Sequence, residues 1–158
     1  MAFTHRTLTD ELLKATRSFA AAILTGPRRS GKTTLLRHVF PRASYHLLED
    51  PDTVARLRAD PRGFLDEVRL PAILDEIQNV PEILNYVRAR IDRAPRKAGQ
   101  WLLTGSQEAP LMRGVTESMA GRAAVLQLLP FSSLEHPGVS VVRGAPRTRR
   151  NLPQSVRA

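Results

Sequence analysis

The chain has 158 residues, a length that suits one domain with a buried core. It has no cysteine, which excludes disulfides and thiolate metal sites and fits a cytoplasmic protein. No apolar run is long enough to span a membrane, so we expect no membrane partner. The net charge is +9, but residues 136–158 hold five arginines and no acid, which leaves +4 for residues 1–135.

Short apolar runs alternate with amphipathic stretches along most of the chain. A buried parallel strand is expected wherever a continuous apolar run is short and bounded by turn residues. A helix is expected where apolar residues recur on one face, often after a proline. In chain order, the pattern predicts a helix over 7–16, a strand over 19–26, a helix over 32–40, a strand over 44–50, short helices opened by Pro51 and Pro61, a strand over 70–76, a helix over 81–94, a strand over 100–107, a broken helix over 110–122 and a strand over 124–132.

This alternation predicts an α/β fold, in which helices cover both faces of a parallel sheet. The predicted domain covers residues 1–135. Residues 136–158 are rich in proline, glycine and arginine and show no apolar periodicity, so we predict a disordered basic tail there.

The most informative motif is GPRRSGKT at residues 26–33, which has the spacing of a phosphate-binding loop, or Walker A motif. Gly26 and Gly31 allow a tight turn whose N–H groups face an anion, and the following helix adds partial positive charge at its N-terminus. The motif follows a predicted strand and opens a predicted helix, which is the context it requires. Lys32 is expected to reach the β- and γ-phosphates, and the Thr33 hydroxyl to bind Mg²⁺.

The other loop residues belong to the same predicted nucleotide site. Pro27 and Ser30 lie between the two glycines, and their backbone is expected to contact the bound phosphates. Arg28 and Arg29 are more simply explained as solvated loop positions than as phosphate contacts. Thr34 is included with the loop, although a surface or packing role on the helix is the simpler interpretation.

A pair of acids, Asp75 and Glu76, ends the predicted strand AILDE. A strand buried on both faces should not carry adjacent acids unless its end faces a ligand, and ligands bind at the carboxyl ends of parallel strands. Asp75 is therefore the predicted Mg²⁺ acid of a Walker B motif. Glu76 is the predicted general base for the attacking water, and the pair favours hydrolysis of ATP. The alternative is a solvated turn.

Two further positions are candidates for catalysis. Thr104, Ser106 and Gln107 end the strand LLTGSQ, where a hydroxyl or amide would position water or touch the γ-phosphate; a strand-end turn is an equal alternative on chemistry alone. Arg122 precedes the last predicted strand, and an arginine that reaches the γ-phosphate strongly accelerates hydrolysis. With 21 arginines in the chain, a surface role is the usual explanation for any one of them.

In this order, the segments GPRRSGKTTLL, SYHLLEDPD, ILDEIQNVPEIL, LLTGSQ and SMAGRAAVLQLLPFSSLE resemble the prokaryotic AAA-type ATPases that usually carry a C-terminal domain of unknown function. The resemblance covers residues 3–135. It implies an AAA-like five-stranded sheet of order 5-1-4-3-2, with ATP and Mg²⁺ as cofactors. It also implies that Ser106 is a sensor and that Arg122 is a finger or sensor, acting in cis or in trans. A trans role would require a homo-oligomer.

Two departures from the family pattern matter. Arg29 stands where the family more often has glutamine. The match also fades after Glu135, which suggests a truncated or frame-shifted end without the lid and effector parts. We therefore expect an ATP-binding domain that binds MgATP and hydrolyses it to ADP and phosphate. The alternatives are a truncated binding module or switch with negligible hydrolysis, or a nucleic-acid-associated protein that makes weak contact through its basic tail. Residues 3–8, expected before the first helix, are a candidate wall of the adenine pocket.

Overall fold

The structure is a computed structural model that describes residues 2–129 and 141–143; for residues 2–7, Ala109 and 141–143 it describes the backbone only. The elements follow the predicted alternation. In chain order they are α1 (Ala2–Ser18), β1 (Ala21–Thr25), α2 (Lys32–Val39), β2 (Ser44–Leu47), α3 (Pro51–Ala59), α4 (Pro61–Glu67), β3 (Ala72–Asp75), a 3₁₀ turn (Ile77–Asn79), α5 (Ile83–Arg93), β4 (Trp101–Gly105), α6 (Ala109–Met119), β5 (Ala123–Gln127) and β6 (Val141–Arg143).

The described strands form one sheet in the order β2-β3-β4-β1-β5-β6. The first five are parallel, so the predicted α/β fold and the order 5-1-4-3-2 are confirmed. β6 pairs antiparallel with β5 and lies inside the segment predicted to be disordered. The rest of that segment and the domain boundary predicted at residue 135 lie outside the described residues and stay predictions.

The core has two layers because successive strand residues point to opposite faces of the sheet. Ile23 of β1 packs with the layer under α3, α4, α5 and α6, and its neighbour Leu24 packs with the layer under α1 and α2. The same alternation separates Leu74 from Ile73 in β3. Strands buried on both faces need apolar residues at every position, which explains their continuous apolar runs.

Helix starts follow local capping chemistry. Asp50 caps α3 by accepting a hydrogen bond from the Thr53 N–H at 3.0 Å, and Pro51 takes the first turn. Asp60 caps α4 in the same way through the Gly63 N–H at 3.0 Å. The proline at the first position of each helix is the start signal that predicted these two helices, and the structure adds the capping aspartate before it.

Two local predictions are corrected. The helix predicted as broken over 110–122 is a continuous α6 (Ala109–Met119), and the chain turns after it at residues 120–122. The first helix begins at Ala2 instead of residue 7, so residues 3–8 lie within α1 and not in a segment before it. In the part of the chain that the structure describes, no helix combines the length and hydropathy needed to cross a bilayer.

Candidate functional site

The predicted site residues gather where β1, β3 and β4 end side by side. β1 leads into the 26–31 loop, β3 ends at Asp75, and β4 ends at Gly105 just before Ser106. Since the three strands are parallel neighbours, their carboxyl ends lie at one edge of the sheet. We call this end of the sheet, where the parallel strands have their carboxyl ends, the site edge; the term does not refer to a terminal strand.

The backbone of the 26–31 loop adopts conformations that glycine accommodates best. Gly26 and Gly31 have φ values of 155° and 88°. A Cβ atom at Gly26 would lie 2.3 Å from the carbonyl oxygen of Leu128, which leaves no room for a side chain. The Leu128 N–H donates to the Thr25 carbonyl at 2.7 Å, so the residue after β5 fixes the start of the loop. Arg29, the departure from the family pattern, also has a positive φ, of 59°.

The buried ammonium of Lys32 lies inside this loop. Its Nζ donates to the carbonyls of Gly26 at 2.9 Å and Pro27 at 2.7 Å, and to the Ser30 hydroxyl at 3.4 Å. Burial lowers the pKa of Lys32, and the negative charges of Glu76 and Asp75 oppose that shift. The loop therefore holds a cation at the N-terminus of α2, where an anionic ligand is favoured.

Asp75 is buried and surrounded by three hydroxyl groups. The Thr33 hydroxyl lies 2.9 Å from both carboxylate oxygens, so the first turn of α2 and the end of β3 are in direct contact. The Tyr45 hydroxyl donates to Oδ2 at 2.5 Å, and the Thr104 hydroxyl donates to Oδ1. A carboxylate beside a threonine hydroxyl is the oxygen donor set that Mg²⁺ uses together with substrate phosphates. The residues present thus fit this metal.

The tyrosine was not anticipated from the sequence. Tyr45 lies in β2 beside β3, and in the parallel register Leu47 is the residue opposite Asp75. Its ring packs under the Arg37 guanidinium, whose central carbon is 4.7 Å from the ring centroid. Burial and the hydrogen bond to Asp75 raise the pKa of Tyr45, so the phenol keeps its proton and acts as a donor. The available signal was an aromatic residue with a polar hydroxyl at the second position of the strand predicted over 44–50.

Glu76 adopts a left-handed backbone conformation, with φ 63° and ψ 51°. Its N–H donates to the Thr104 hydroxyl at 2.9 Å, and the same hydroxyl donates to Asp75. One threonine of β4 therefore orients both acids. This conformation ends the extended backbone of β3 directly after Asp75.

Gln78 is the second residue that sequence reasoning missed. Its side-chain amide donates to the Glu76 carboxylate, and its Oε1 accepts a hydrogen bond from the Ser106 N–H at 3.3 Å. The Ser106 hydroxyl is buried without a hydrogen-bond partner among the described residues. A glutamine two residues after the acid pair was a weak signal, because its role depends on the 3₁₀ turn that follows β3.

Some predicted residues lie apart from this cluster. Arg122 precedes β5 at the opposite edge of the sheet, where its guanidinium pairs with Asp92 at 2.6 Å. Arg28 lies 3.8 Å from Glu49, and both side chains are exposed. Thr34 is exposed on α2, and Gln107 is exposed after β4. The structure thus brings together Lys32, Thr33, Asp75, Glu76 and Ser106, but not Arg122.

The fold and the loop define an α/β P-loop domain of AAA-like architecture. The family model described as "AAA domain" matches residues 18–136, and the chain belongs to that family. This family supports a nucleotide-binding, ATPase-like function in general terms. An uncharacterised protein of Mycobacterium bovis and one of Mycobacterium tuberculosis are each 33% identical to the chain over 131 residues. The alignments cover 81% of this chain and 29% of each relative, so the chain spans less than a third of their length.

Proposed function

We propose that this domain binds MgATP and hydrolyses it to ADP and phosphate. The observation that carries the proposal is the direct contact between Thr33 and Asp75 beside the buried Lys32 ammonium. The 26–31 backbone and Lys32 hold the phosphates, while Thr33 and Asp75 hold the metal. When bound, Mg²⁺ would neutralise charge on the β- and γ-phosphates.

Glu76 is the proposed general base. Its backbone is fixed by Thr104, which places the residue one position beyond the metal acid at the site edge. A carboxylate there takes a proton from water as the water attacks the γ-phosphate. The Ser106 hydroxyl, buried and unpartnered among the described residues, is the proposed sensor, since it has donor capacity to spare.

Arg122 fits this proposal only in trans. Within its own chain, Arg122 is separated from the site edge by the five residues of β5, a distance of about 16 Å. A finger role therefore requires a second copy of the chain, and the proposal includes a homo-oligomer for that reason. A location in the cytoplasm is also proposed, on the absence of cysteine.

A second candidate function is a module that binds ATP without cutting it. The contact between the Gln78 amide and the Glu76 carboxylate favours this candidate, because the amide occupies an acceptor site on the oxygen that would otherwise face water. A nucleic-acid contact through residues 136–158 stays a prediction, since most of that tail lies outside the described residues.

Replacement of Lys32 tests the binding half of the proposal. Lys32→Met is expected to weaken ATP binding by at least about 100-fold, because it removes the buried charge that faces the phosphates. Isothermal titration calorimetry with MgATP measures the change. Lys14→Met, at an exposed position on α1, is the matched control and should bind ATP as the unmodified chain does. Equal affinity for the two variants would contradict the assignment.

Tyr45→Phe tests the hydroxyl groups around Asp75. The variant is expected to raise the Mg²⁺ concentration at half-maximal ATP hydrolysis by about tenfold, as the loss of an outer hydrogen bond to a metal ligand commonly does. ATP affinity in the presence of a chelator should not change. Tyr86→Phe is the control, because Tyr86 lies on α5 away from the site edge. An unchanged Mg²⁺ requirement would show that Tyr45 does not position Asp75.

A further inference from the structure

The end of the sheet opposite the site edge, where the parallel strands have their amino ends, carries a row of positive charge. Each of the five parallel strands is preceded, within five residues, by at least one exposed or half-buried cation. The cations are Arg17 before β1, Arg42 before β2, Arg69 before β3, Arg96 and Lys97 before β4, and Arg122 before β5. We call these six residues the basic edge. The segments that hold them, residues 17–20, 40–43, 68–71, 94–100 and 120–122, contain no acid.

The charges of the basic edge are largely uncompensated. Two acids in the adjoining helix ends are already paired with arginines outside the row: Glu67 lies 3.6 Å from Arg56, and Asp66 contacts Arg90. Asp92 reaches the row itself and pairs with Arg122. The other five cations of the row form no ion pair among the described residues.

The placement of positive charge at the basic edge is a property of the fold and not of composition alone. The segments that leave the strands at the site edge, residues 26–31, 48–50, 76–82 and 106–108, contain five acids and two arginines. The two edges therefore differ in sign, with −3 at the site edge and +6 at the basic edge. Six of the 19 basic residues in 2–129 thus lie, with no acid in the same segments, at the edge that the nucleotide site does not use.

The geometry of the row suits a linear polyanion. In the strand order β2-β3-β4-β1-β5 the cations follow one another along the sheet, and four inter-strand steps span about 19 Å. Five of the six are arginines, whose planar guanidinium donates two hydrogen bonds to one phosphate. Successive phosphates of a nucleic-acid strand present acceptors along such a line.

An acidic protein fits the row less well. Protein interfaces are centred on buried aromatic or aliphatic anchors. At the basic edge, Leu70 is the one exposed large apolar side chain among the described residues. A largely apolar cleft does open at this edge beside Lys97, lined by Leu70 and Trp101. None of the four unpaired arginines of the row lines that cleft, and their extended arrangement matches nucleic acid better than an acidic protein.

We propose that the basic edge binds the sugar–phosphate backbone of a nucleic-acid strand. This interaction is distinct from ATP hydrolysis, because the row lies across the sheet from Lys32 and Asp75. It is also distinct from a contact made by the 136–158 tail, since the row belongs to the folded domain. Binding is electrostatic and independent of base sequence.

The test compares two triple variants of the full chain, both with net charge +6. The edge variant carries Arg17→Gln, Arg69→Gln and Arg96→Gln. The control variant carries Arg62→Gln, Arg88→Gln and Arg113→Gln, at exposed arginines on α4, α5 and α6 that form no ion pair among the described residues. Circular dichroism melting establishes that both remain folded. Fluorescence anisotropy with a labelled oligothymidylate measures affinity between about 50 and about 200 mM salt.

We expect the edge variant to lose about 10-fold or more in affinity at low salt. The slope of log K against log salt should become shallower by about 2, since each lost contact to a single strand removes about 0.7. The control variant should lose much less. Equal losses in both variants, no loss in either, or no binding by the unmodified chain would each overturn the proposal. So would polyglutamate that competes as well per charge as the oligonucleotide, because the surface would then fit an acidic protein.

Discussion

Glu76→Gln is expected to lower the rate of ATP hydrolysis by at least about 100-fold, which is the range that a general base contributes. Glutamine keeps the size of the side chain and its capacity to contact Gln78, but it cannot accept a proton from water. The left-handed backbone at residue 76 and its hydrogen bond to Thr104 do not depend on the carboxylate, so the site should keep its shape. ATP affinity should therefore stay within about a factor of 2.

Phosphate release from ATP, measured for the unmodified chain and for Glu76→Gln across protein concentrations, decides whether Glu76 is the general base. Glu108→Gln is the matched control, because Glu108 is an exposed acid at the same edge of the sheet. Turnover that survives in Glu76→Gln would remove Glu76 from the proposed role. Absence of turnover in the unmodified chain would instead favour the binding module. Specific activity that rises with concentration, and falls in Arg122→Gln, would support an arginine supplied by a second copy.

The largest effect on stability is expected at Gly26. A Cβ atom there would lie 2.3 Å from a backbone oxygen of Leu128, and neither backbone can move without disturbing the end of β1 or β5. The positive φ of 155° adds conformational strain for any other residue. Gly26→Ala should lower the free energy of unfolding by about 2–4 kcal/mol, from overpacking and strain together.

Gly31→Ala separates those two contributions. Gly31 also has a positive φ, of 88°, but a Cβ atom there would meet nothing within 4 Å. Its expected cost is about 1 kcal/mol, from strain alone. Urea denaturation of the two variants measures the difference. Equal destabilisation would mean that the contact with Leu128 does not limit the loop.

The sequence was sufficient for the features that follow from local chemistry. The alternating apolar and amphipathic segments predicted five parallel strands, and GPRRSGKT and AILDE placed Lys32, Thr33 and Asp75 at the carboxyl ends of strands in one sheet. Pro51 and Pro61 marked two helix starts correctly. These signals depend on neighbours in the chain, which a single sequence displays.

The missed residues depend on contacts between distant segments. Tyr45 reaches Asp75 only because β2 pairs with β3 in a register that puts Leu47 opposite the acid. Gln78 bridges Glu76 and Ser106 only because a 3₁₀ turn follows β3 beneath the end of β4. The segment 110–122 was predicted as a broken helix, whereas Ala109–Met119 form one continuous helix that packs on α5. The position of Arg122 likewise follows from the direction of β5 and not from any local pattern.

The Tyr45 hydroxyl reaches Asp75 from the least protected strand of the parallel sheet. Among the strands that the structure describes, β2 is the terminal one on its side and pairs only with β3, and its four residues are all partly exposed. Terminal strands of this kind open locally with a free energy well below that of global unfolding. Each fraying event of β2 withdraws a hydrogen-bond donor from Asp75 while Thr33 and Thr104 remain. The order of the proposed metal site is therefore set by a local opening equilibrium, which amide hydrogen exchange in β2 would report, and not by the stability of the whole domain.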